Sequence, residues 1–294
     1  MKCALDCIPC FIRQANEAAR MVSGDPAVHQ KILHQVHSLL SGIDLNAPPP
    51  IISRRIHHQI RQISGNPDPY KEVKHRCNQL ALQWLPGLRE RVRTSEDPFR
   101  AAVLLAIAGN IIDYGVHGSL QMHTVKETID RALHQPLDEQ VLERFRQSIA
   151  AARSILYLGD NAGEIVFDRL LLEQMPLEKI TFVVKGSPIL NDATKEEAAQ
   201  AGLTEMVRVV DSGADAPGTV LEDCSREFRR LFEQADLIVA KGQGNFETLN
   251  ETPANLFFLF QVKCPVVAAH LGEAIGTFVL RRTEMSACLV RKKQ

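Results

Sequence analysis

The stretch Arg153-Ser-Ile-Leu-Tyr-Leu-Gly-Asp160-Asn161-Ala-Gly-Glu164-Ile-Val-Phe-Asp168 decides the fold, because it has the pattern of a buried strand that leads directly into a helix. Residues 155–158 are apolar and a glycine follows them, which is typical of a short strand with both faces covered. From Glu164 onward the apolar residues recur at a helical spacing, so we predict that a helix begins close to Asn161 or Ala162. This strand-to-helix unit indicates an α/β sheet.

Two polar residues, Asp160 and Asn161, stand at the carboxyl end of this predicted strand. In an open α/β sheet, ligands bind at the carboxyl ends of the strands, and the free N–H groups of the next helix attract anions. An acid beside an amide supplies two oxygen ligands for a hard cation. We therefore predict a metal-assisted phosphate site at this position.

The composition is that of an ordinary soluble globular protein. The chain has 294 residues, of which 45% are hydrophobic and 23% are charged, and its formal net charge is −1. This balance favours neither nucleic acid nor an anionic membrane as a partner. The amino terminus carries Asp6 where a signal peptide is apolar, and seven irregularly spaced cysteines do not form a disulfide framework. We expect a cytoplasmic protein that binds neither membranes nor nucleic acid.

The first half of the chain has helical patterns and the second half alternates short strands with helices. Helices are predicted at 6–22, 26–41, 50–64, 69–84, 98–116 and 138–152, and strands at 155–158, 180–184, 207–210, 237–240 and 266–269. Strands spaced by helices favour a mostly parallel sheet covered on both faces. We predict a three-layer α/β/α sandwich (residues 136–294) preceded by an all-helical amino-terminal domain (residues 1–135).

A second acid, Asp192, follows the predicted strand at 180–184, shortly after Lys185. If this strand neighbours the strand at 155–158, Asp192 faces Asp160 and Asn161 across the sheet edge. Two carboxylates and an amide carbonyl suit Mg²⁺ or Mn²⁺, with waters or phosphate oxygens as further ligands. The alternative is that Asp192 and Asn161 only cap helices.

A third polar turn, Lys241-Gly-Gln-Gly-Asn245-Phe-Glu247, follows the strand at 237–240. Its glycines allow a close approach of the backbone to a ligand, and Lys241 can bind a phosphate as a point charge. A turn with no special role is the alternative. In the helical half, Gly109-Asn110-Ile-Ile-Asp113 places an amide and an acid one turn apart on an apolar helix, either within the core or in a cleft.

Three cysteines lie close together in the pattern Cys3-x-x-x-Cys7-x-x-Cys10. The same spacing occurs in iron–sulfur enzymes that cleave S-adenosylmethionine, but those enzymes place the cysteines after a first strand, for which no residues precede Cys3. We therefore expect no cluster. A zinc half-site of Cys7 and Cys10, a redox pair, and packed thiols at a helix start stay open.

Four motifs together indicate one protein family. They are Asp-Cys-Ile-Pro-Cys at 6–10, Gly-Asp-Asn-Ala-Gly-Glu at 159–164, Lys-Gly-Ser-Pro-Ile-Leu-Asn-Asp-Ala-Thr at 185–194 and Ala-Lys-Gly-Gln-Gly-Asn-Phe-Glu at 240–247. In this order they resemble the damage-control phosphatases, whose shared unit is called the ARMT-like metal-binding domain. The resemblance is greatest to the short microbial branch with an amino-terminal Cys-x-x-Cys. The Arg-Thr-x-Lys signature of the larger eukaryotic branch is not matched, because Met285 replaces the lysine.

The resemblance implies an enzyme that hydrolyses phosphate esters of small metabolites, including sugar phosphates and damaged metabolites. It implies a divalent metal (Mn²⁺, Mg²⁺, Co²⁺ or Ni²⁺) held by Asp160, Asn161 and Asp192. Phosphate and substrate contacts are implied for Glu164, Lys241 and Asn245, with Asn110 and Asp113 as further residues of the cleft.

For the mechanism, we predict that the metal lowers the pKa of a bound water and neutralises charge on the phosphoryl group. Asp160, Asp192 and Lys241 are the predicted catalytic residues, while Lys185 and the backbone near Gly163 contact the substrate. Attack by Asp160 itself, with an aspartyl-phosphate intermediate, stays open. An S-adenosylmethionine-dependent methyltransferase and a non-enzymatic metal- or metabolite-binding module are the alternative functions.

Overall fold

The computed structural model describes residues 1–109 and 122–283. Within these ranges the helices are α1 (Cys7–Val22), α2 (Pro26–Ser41), α3 (Pro49–Ser64), α4 (Lys71–Thr94), α5 (Pro98–Ala108), α6 (Met122–Leu133), α7 (Glu139–Ala151), α8 (Glu164–Leu172), α9 (Lys195–Gln200), α10 (Arg226–Gln234), α11 (Gln243–Leu249) and α12 (Pro265–Leu271). The strands are β1 (Ile155–Leu158), β2 (Ile180–Val184), β3 (Arg208–Asp211), β4 (Leu237–Lys241), β5 (Leu256–Gln261) and β6 (Phe278–Arg282).

The strands form one mixed sheet in the order β3-β2-β1-β4-β5-β6. The first five strands pair in parallel, and β6 is antiparallel to β5. The order in which strands are added reverses at β1: β2 and β3 lie on one side of it, and β4, β5 and β6 lie on the other. Such a switch point opens a crevice at the carboxyl ends of the two central strands, and this is where open α/β sheets bind ligands. The predicted mostly parallel sheet is confirmed.

The prediction of a strand at 266–269 is wrong, because these residues lie inside α12. The strand of this region is β5, a continuous run of buried apolar residues that starts at Leu256. The sequence carries the signals for α12: Pro265 occupies its first turn, where a proline costs no hydrogen bond, and Cys264 caps it by accepting from the Val267 amide. A short apolar run next to these start signals is a helix.

The amino-terminal helices begin where their capping residues predict. Asp25 and Asp97 precede prolines, and their side chains accept hydrogen bonds from the first turns of α2 and α5. Two differences concern extent. Helix α4 continues past Pro86 to Thr94, beyond its predicted end, and α6 was not predicted.

Three hydrophobic clusters hold these layers together. On one face of the sheet, Tyr157 and Phe257 pack with residues of α4, α5, α7 and α8. On the other face, Phe258 and Phe260 pack with residues of α10, α11 and α12. Adjacent residues of β5 thus point to opposite faces, as in any strand covered on both sides. The sandwich is therefore as predicted, while the division of the chain at residue 135 stays a prediction.

The third cluster belongs to α1, α2 and α3, which bury their own apolar faces, with Ala15, Ile32 and Ile56 fully buried. Ion pairs join this helical unit to the α/β layers: Arg54 and Arg61 of α3 both contact Asp215, at 2.6 and 2.5 Å. A cleft lies between the two. Among residues 1–109 and 122–283, no helix is both long and apolar enough to span a bilayer.

A candidate metal and phosphate site

Backbone pairing brings the ends of β1 and β2 together. Beyond the two strands, Asn161 forms an isolated antiparallel bridge with Asp192. The Ala193 amide donates to the Asp160 carbonyl at 2.8 Å, and the Ala162 amide donates to the Asn191 carbonyl at 2.9 Å. The structure therefore places Asp160, Asn161 and Asp192 side by side, as neighbouring strands require.

The alternative that these residues are only helix caps does not describe the structure. Thr194 caps α9, and its hydroxyl and backbone amide form a capping box with Glu197. Gly163 occupies the capping position of α8, and no side chain makes a cap hydrogen bond there. Asp192 and Asn161 thus bring polar groups to the sheet edge without a capping role.

The two carboxylates are buried and close enough to repel each other. Burial, then the charges of Asp192 and Glu164, raise the pKa of Asp160 well above its usual range. Burial also raises the pKa of Asp192 to about 6, although Lys185 opposes this. Oδ2 of Asp192 accepts no well-aligned hydrogen bond and has the Lys185 ammonium 3.4 Å away. Two ionised carboxylates that are buried close together lower the stability of the fold unless a cation neutralises them. This group of oxygen atoms therefore fits a divalent metal.

The Asn161 side chain is oriented by two acidic neighbours. Its amide nitrogen donates to Oδ2 of Asp160 at 3.2 Å and to Oε2 of Glu164 at 3.4 Å. The carbonyl oxygen is the end of this amide that can bind a hard cation. Glu164 therefore contacts one of the three candidate ligands, Asn161, and fixes the orientation of its side chain.

Lys185 is a buried lysine that contacts another candidate ligand, Asp192. Its ammonium is 2.9 Å from the Gly218 carbonyl and 3.4 Å from Oδ2 of Asp192, and the side chain is buried. The lysine partly neutralises the charge of Asp192. Ionisation of Asp160 is therefore the more costly of the two. Its predicted contact with the substrate stays a prediction.

Lys241 has different surroundings from those we predicted. Its ammonium is fully buried and donates to the Ala106 carbonyl (2.9 Å), Oε1 of Glu164 (2.7 Å) and Oδ1 of Asp168 (2.6 Å). The two carboxylates raise the pKa of Lys241 despite burial, so it stays charged. All three donors have acceptors. A contact with phosphate requires Lys241 to exchange one of them, and that role stays a prediction.

Gly163 and Asn245 are likewise engaged within the protein. The Gly163 amide donates to Oδ1 of Asn78 on α4 at 2.7 Å. Asn245 donates to the Lys241 carbonyl at 2.7 Å and accepts from the Thr219 hydroxyl at 2.8 Å. Their predicted substrate contacts stay predictions. The last two predicted residues, Asn110 and Asp113, lie outside the described residues.

Gly242 is required for the position of Asp160. It has φ of 79°, a conformation that glycine adopts without strain. A β-carbon placed on it would lie 1.9 Å from Oδ2 of Asp160. The Asp160 carboxylate therefore rests directly against the turn between β4 and α11, which joins the two central strand ends into one site.

A cavity of about 520 Å³ opens at this point. One end is formed by Asp160, Asn161 and Asp192. The rest of the wall comes from α1, α3, α11 and the start of α12, and includes the following chemically active side chains: Cys7, Cys10, Arg13, Gln14, Gln243, Glu247, Lys263 and Cys264. The cavity is the cleft between the helical unit and the α/β layers.

Of these wall residues, three charged ones were not predicted from the sequence as site residues: Arg13, Glu247 and Lys263. Arg13 and Lys263 bring exposed positive charge to a cavity with an acidic end. Burial raises the pKa of Glu247 to about 7, although Gln243 donates to it at 2.8 Å. The rule that finds Asp160 and Asp192 would also have found Lys263, because Lys263 follows β5, but the misplaced fifth strand concealed it.

Known proteins match this sequence and fold over nearly their whole length. The profile of the damage-control phosphatase ARMT1-like domain matches residues 3–279. A damage-control phosphatase from Archaeoglobus fulgidus is 34% identical over 97% of this chain and 100% of its own length. One from Pyrococcus horikoshii is 32% identical over 97% and 99%. An uncharacterized protein from Methanocaldococcus jannaschii is 36% identical over 94% and 93%.

The fold agrees with these matches. The crystal structure of a DUF89 family protein from Pyrococcus horikoshii superposes with a TM-score of 0.87 at 32% identity, covering 97% of this chain and 100% of that one. The family predicted from four motifs is confirmed, while the branch suggested by Cys-x-x-Cys stays a prediction. This chain belongs to the damage-control phosphatase ARMT1-like family.

Proposed function

We propose that this phosphatase hydrolyses phosphate monoesters of small metabolites, sugar phosphates and damaged phosphometabolites among them, with a divalent cation of the Mn²⁺ or Mg²⁺ type. Its family consists of metal-dependent phosphatases. The observation that carries the proposal is the bridge between Asn161 and Asp192, beside Asp160, at the end of a cavity. Three hard oxygen ligands meet there with more negative charge than the neighbouring lysine balances.

Asp160, Asn161 and Asp192 would hold the cation, which supplies charge neutralisation and a water of lowered pKa when bound. Glu164 accepts from the Asn161 amide nitrogen, so the Asn161 carbonyl oxygen would be the end of the side chain that binds the cation. Lys241 in turn holds Glu164 in place. Lys185 supplies a positive charge beside Asp192, where a phosphate oxygen needs a partner.

Glu247 is the best-placed proton donor of the cavity. It is buried, it lines the cavity, and its pKa of about 7 keeps a fraction of it protonated at neutral pH. The leaving oxygen of an alkyl phosphate needs a proton, and an acid with a pKa near the working pH delivers it efficiently. We therefore assign to Glu247 the protonation of the leaving group.

The cavity wall defines the class of substrate. A volume of about 520 Å³ accepts a phosphate with a small polar group, such as a phosphorylated sugar, and not a protein segment. Arg13 and Lys263 provide positive charge for a dianionic phosphate, and Gln14 and Gln243 provide hydrogen-bonding groups for hydroxyls.

The methyltransferase alternative is not favoured. The family assignment names a phosphatase, and the strand after β1 along the chain, β2, is followed by Lys185, not by the acid that would bind a ribose diol. All cysteines of the described residues are free thiols, which supports our proposal of a reducing cytoplasmic location.

The test is a screen of purified protein against a generic aryl phosphate and a panel of phosphorylated metabolites, with Mn²⁺, Mg²⁺, Co²⁺ and Ni²⁺ in turn. We expect release of inorganic phosphate that a chelator abolishes and added metal restores. Tight binding of a phosphorylated metabolite without release of phosphate would instead establish a binding module and contradict the proposal.

A further inference from the structure

Four thiols gather where α1 meets the cavity, and the phosphatase site does not use them. Cys7, Cys10 and Cys264 line the cavity, and the Cys3 thiol hydrogen-bonds to Cys7. The two other cysteines of the described residues, Cys77 and Cys224, are buried in the main cores. Thiols that line a cavity are open to small reactants, whereas packed core thiols are inert.

Cys7 and Cys10 stand in the first turn of α1, three residues apart. Side chains at this spacing lie on one face of a helix, with Cβ atoms about 5 to 6 Å apart. A disulfide needs about 3.5 to 4.5 Å. In α1 the Cys7 and Ile8 amides donate to the Ala4 and Leu5 carbonyls, and a disulfide requires the two β-carbons to approach each other by about 1 to 2 Å. A disulfide between Cys7 and Cys10 thus needs only a local shift of the first turn of α1.

The two thiols differ in electrostatic character. The hydrogen bond from Cys3 lowers the pKa of Cys7 to about 6, against the effect of burial. Burial raises the pKa of Cys10, while Arg13 donates to its sulfur at 3.4 Å. Cys7 is thus the more readily ionised of the two thiols. This is the division between attacking and resolving cysteine that dithiol chemistry uses.

The other roles for these cysteines have less support. Among residues 1–109 and 122–283, no group of three or more His, Cys, Asp or Glu side chains is arranged to hold a metal, so a metal bound by three of these thiols has no support. Cys264 already accepts from the Val267 amide and from Gln243 at the start of α12. Cys3 does not line the cavity.

We propose that Cys7 and Cys10 are a reactive dithiol site that takes up small hydroperoxides through the phosphatase cavity. The Cys7 thiolate attacks the terminal peroxide oxygen, the O–O bond breaks, and the alkoxide leaves and takes a proton to become an alcohol. Cys7 is now a sulfenic acid. The Cys10 sulfur attacks Sγ of Cys7, the S–O bond breaks, and water leaves. Two thiols are oxidised to a disulfide, and one hydroperoxide is reduced to alcohol and water.

The test titrates reduced, full-length protein with tert-butyl hydroperoxide and maps alkylated peptides by mass spectrometry. We expect the peptide that carries both cysteines to lose two hydrogens before Cys77 or Cys224 reacts. In Cys10→Ser, Cys7 should instead accumulate as a sulfenic acid that dimedone traps. Cys264→Ser is the matched control and should leave the Cys7–Cys10 disulfide unchanged.

A second measurement tests the role of Cys3. Iodoacetamide alkylation of Cys7 at pH 7 should slow about tenfold in Cys3→Ala, because the lost hydrogen bond raises the pKa of Cys7. A Cys10–Cys264 or Cys3–Cys7 disulfide, or Cys7 alkylation as slow as that of Cys77, would overturn the proposal. Neither experiment depends on phosphatase turnover, so its failure is distinguishable from failure of the proposed function.

Discussion

Two buried charge clusters lie on either side of Glu164, and they differ in one respect. In the closed cluster, Lys241 provides a permanent cation for Glu164 and Asp168, and the Tyr157 hydroxyl donates to Asp168 at 2.9 Å. The open cluster consists of Asp160, Asn161 and Asp192, which line the cavity. Each leaves one carboxylate oxygen without a hydrogen-bond partner, Oδ2 of Asp168 and Oδ2 of Asp192.

Burial and carboxylate oxygens without a hydrogen-bond partner therefore do not distinguish the cluster with a structural role from the cluster with a catalytic role. The separating feature is how completely a lysine neutralises the carboxylates. Lys241 contacts both carboxylates of the closed cluster, whereas Lys185 pairs only with Asp192 of the open cluster, which lines a cavity from which a metal can enter. The closed cluster should stabilise the fold, and the open cluster should weaken the fold and supply catalysis.

The largest expected effect is on turnover. Asp160→Asn and Asp192→Asn should each lower turnover of an aryl phosphate about 1000-fold, which corresponds to about 4 kcal/mol of transition-state stabilisation. Asp160→Asn should keep or raise the melting temperature of the metal-free protein, because it removes a repelled carboxylate. Asp192→Asn should raise it less, because it also removes the ion-pair partner of buried Lys185. Asp211→Asn is the matched control: Asp211 ends β3 and pairs with exposed Lys195, outside the cavity. Turnover above one tenth of wild type in both site variants would remove the open cluster from catalysis.

The next effect is on stability. Lys241→Met should lower the free energy of unfolding by about 3 kcal/mol, because it leaves two buried carboxylates without their cation. Urea denaturation measures this. Lys195→Met is the control and should change little, because the Lys195 side chain is largely exposed. If the single variant does not fold, the Lys241→Met/Asp168→Asn double variant should recover folding. A Lys241→Met protein as stable as wild type would contradict a structural role for this lysine.

A third expected effect concerns pH. Glu247 is protonated below its pKa of about 7, so turnover of an alkyl phosphate should fall as pH rises through 7. Glu247→Gln should lose about 100-fold on the alkyl substrate at pH 6 and abolish this decline. An aryl phosphate has a good leaving group and should show little change in the same variant. Equal losses on both substrates would mean that Glu247 does not protonate the leaving group.

The smallest expected effect tests the contact between the strand ends. Gly242→Ala should weaken Mn²⁺ binding about 30-fold, because the added methyl displaces the Asp160 carboxylate. Gly272 has nearly the same φ, 71°, so an alanine there would suffer the same backbone strain, but the space around it is open. Gly272→Ala therefore controls for backbone strain alone. Calorimetric titration with Mn²⁺ compares the two. Equal affinities would show that Asp160 does not depend on this turn.

The sequence predicts the residues of the open cluster, but it does not show that Lys241 belongs to the closed cluster instead. Asp160 and Asp192 follow strands with strong apolar patterns, and parallel pairing brings such strand ends together whatever the details of packing. Lys241 satisfies the same rule, yet its side chain turns into the core, towards Ala106 and Asp168. Local pattern cannot reveal this direction, because it depends on α5 packing over the sheet.

The cavity wall was the least predictable part. Arg13 and Glu247 lie more than 200 residues apart in the chain and line one cavity only because the helical unit docks on the α/β layers. That docking rests on side-chain contacts between layers, such as Arg54 and Arg61 with Asp215, and these contacts have no sequence periodicity. Charged wall residues on exposed helices look like ordinary surface residues until the fold is known.

The most direct test of the central claim is the anomalous diffraction signal of Mn²⁺ in crystals of the full chain. We predict one strong peak within about 2.0 to 2.5 Å of side-chain oxygens of Asp160, Asn161 and Asp192. A peak at the thiols of the cavity, or none at the open cluster at saturating Mn²⁺, would contradict the account.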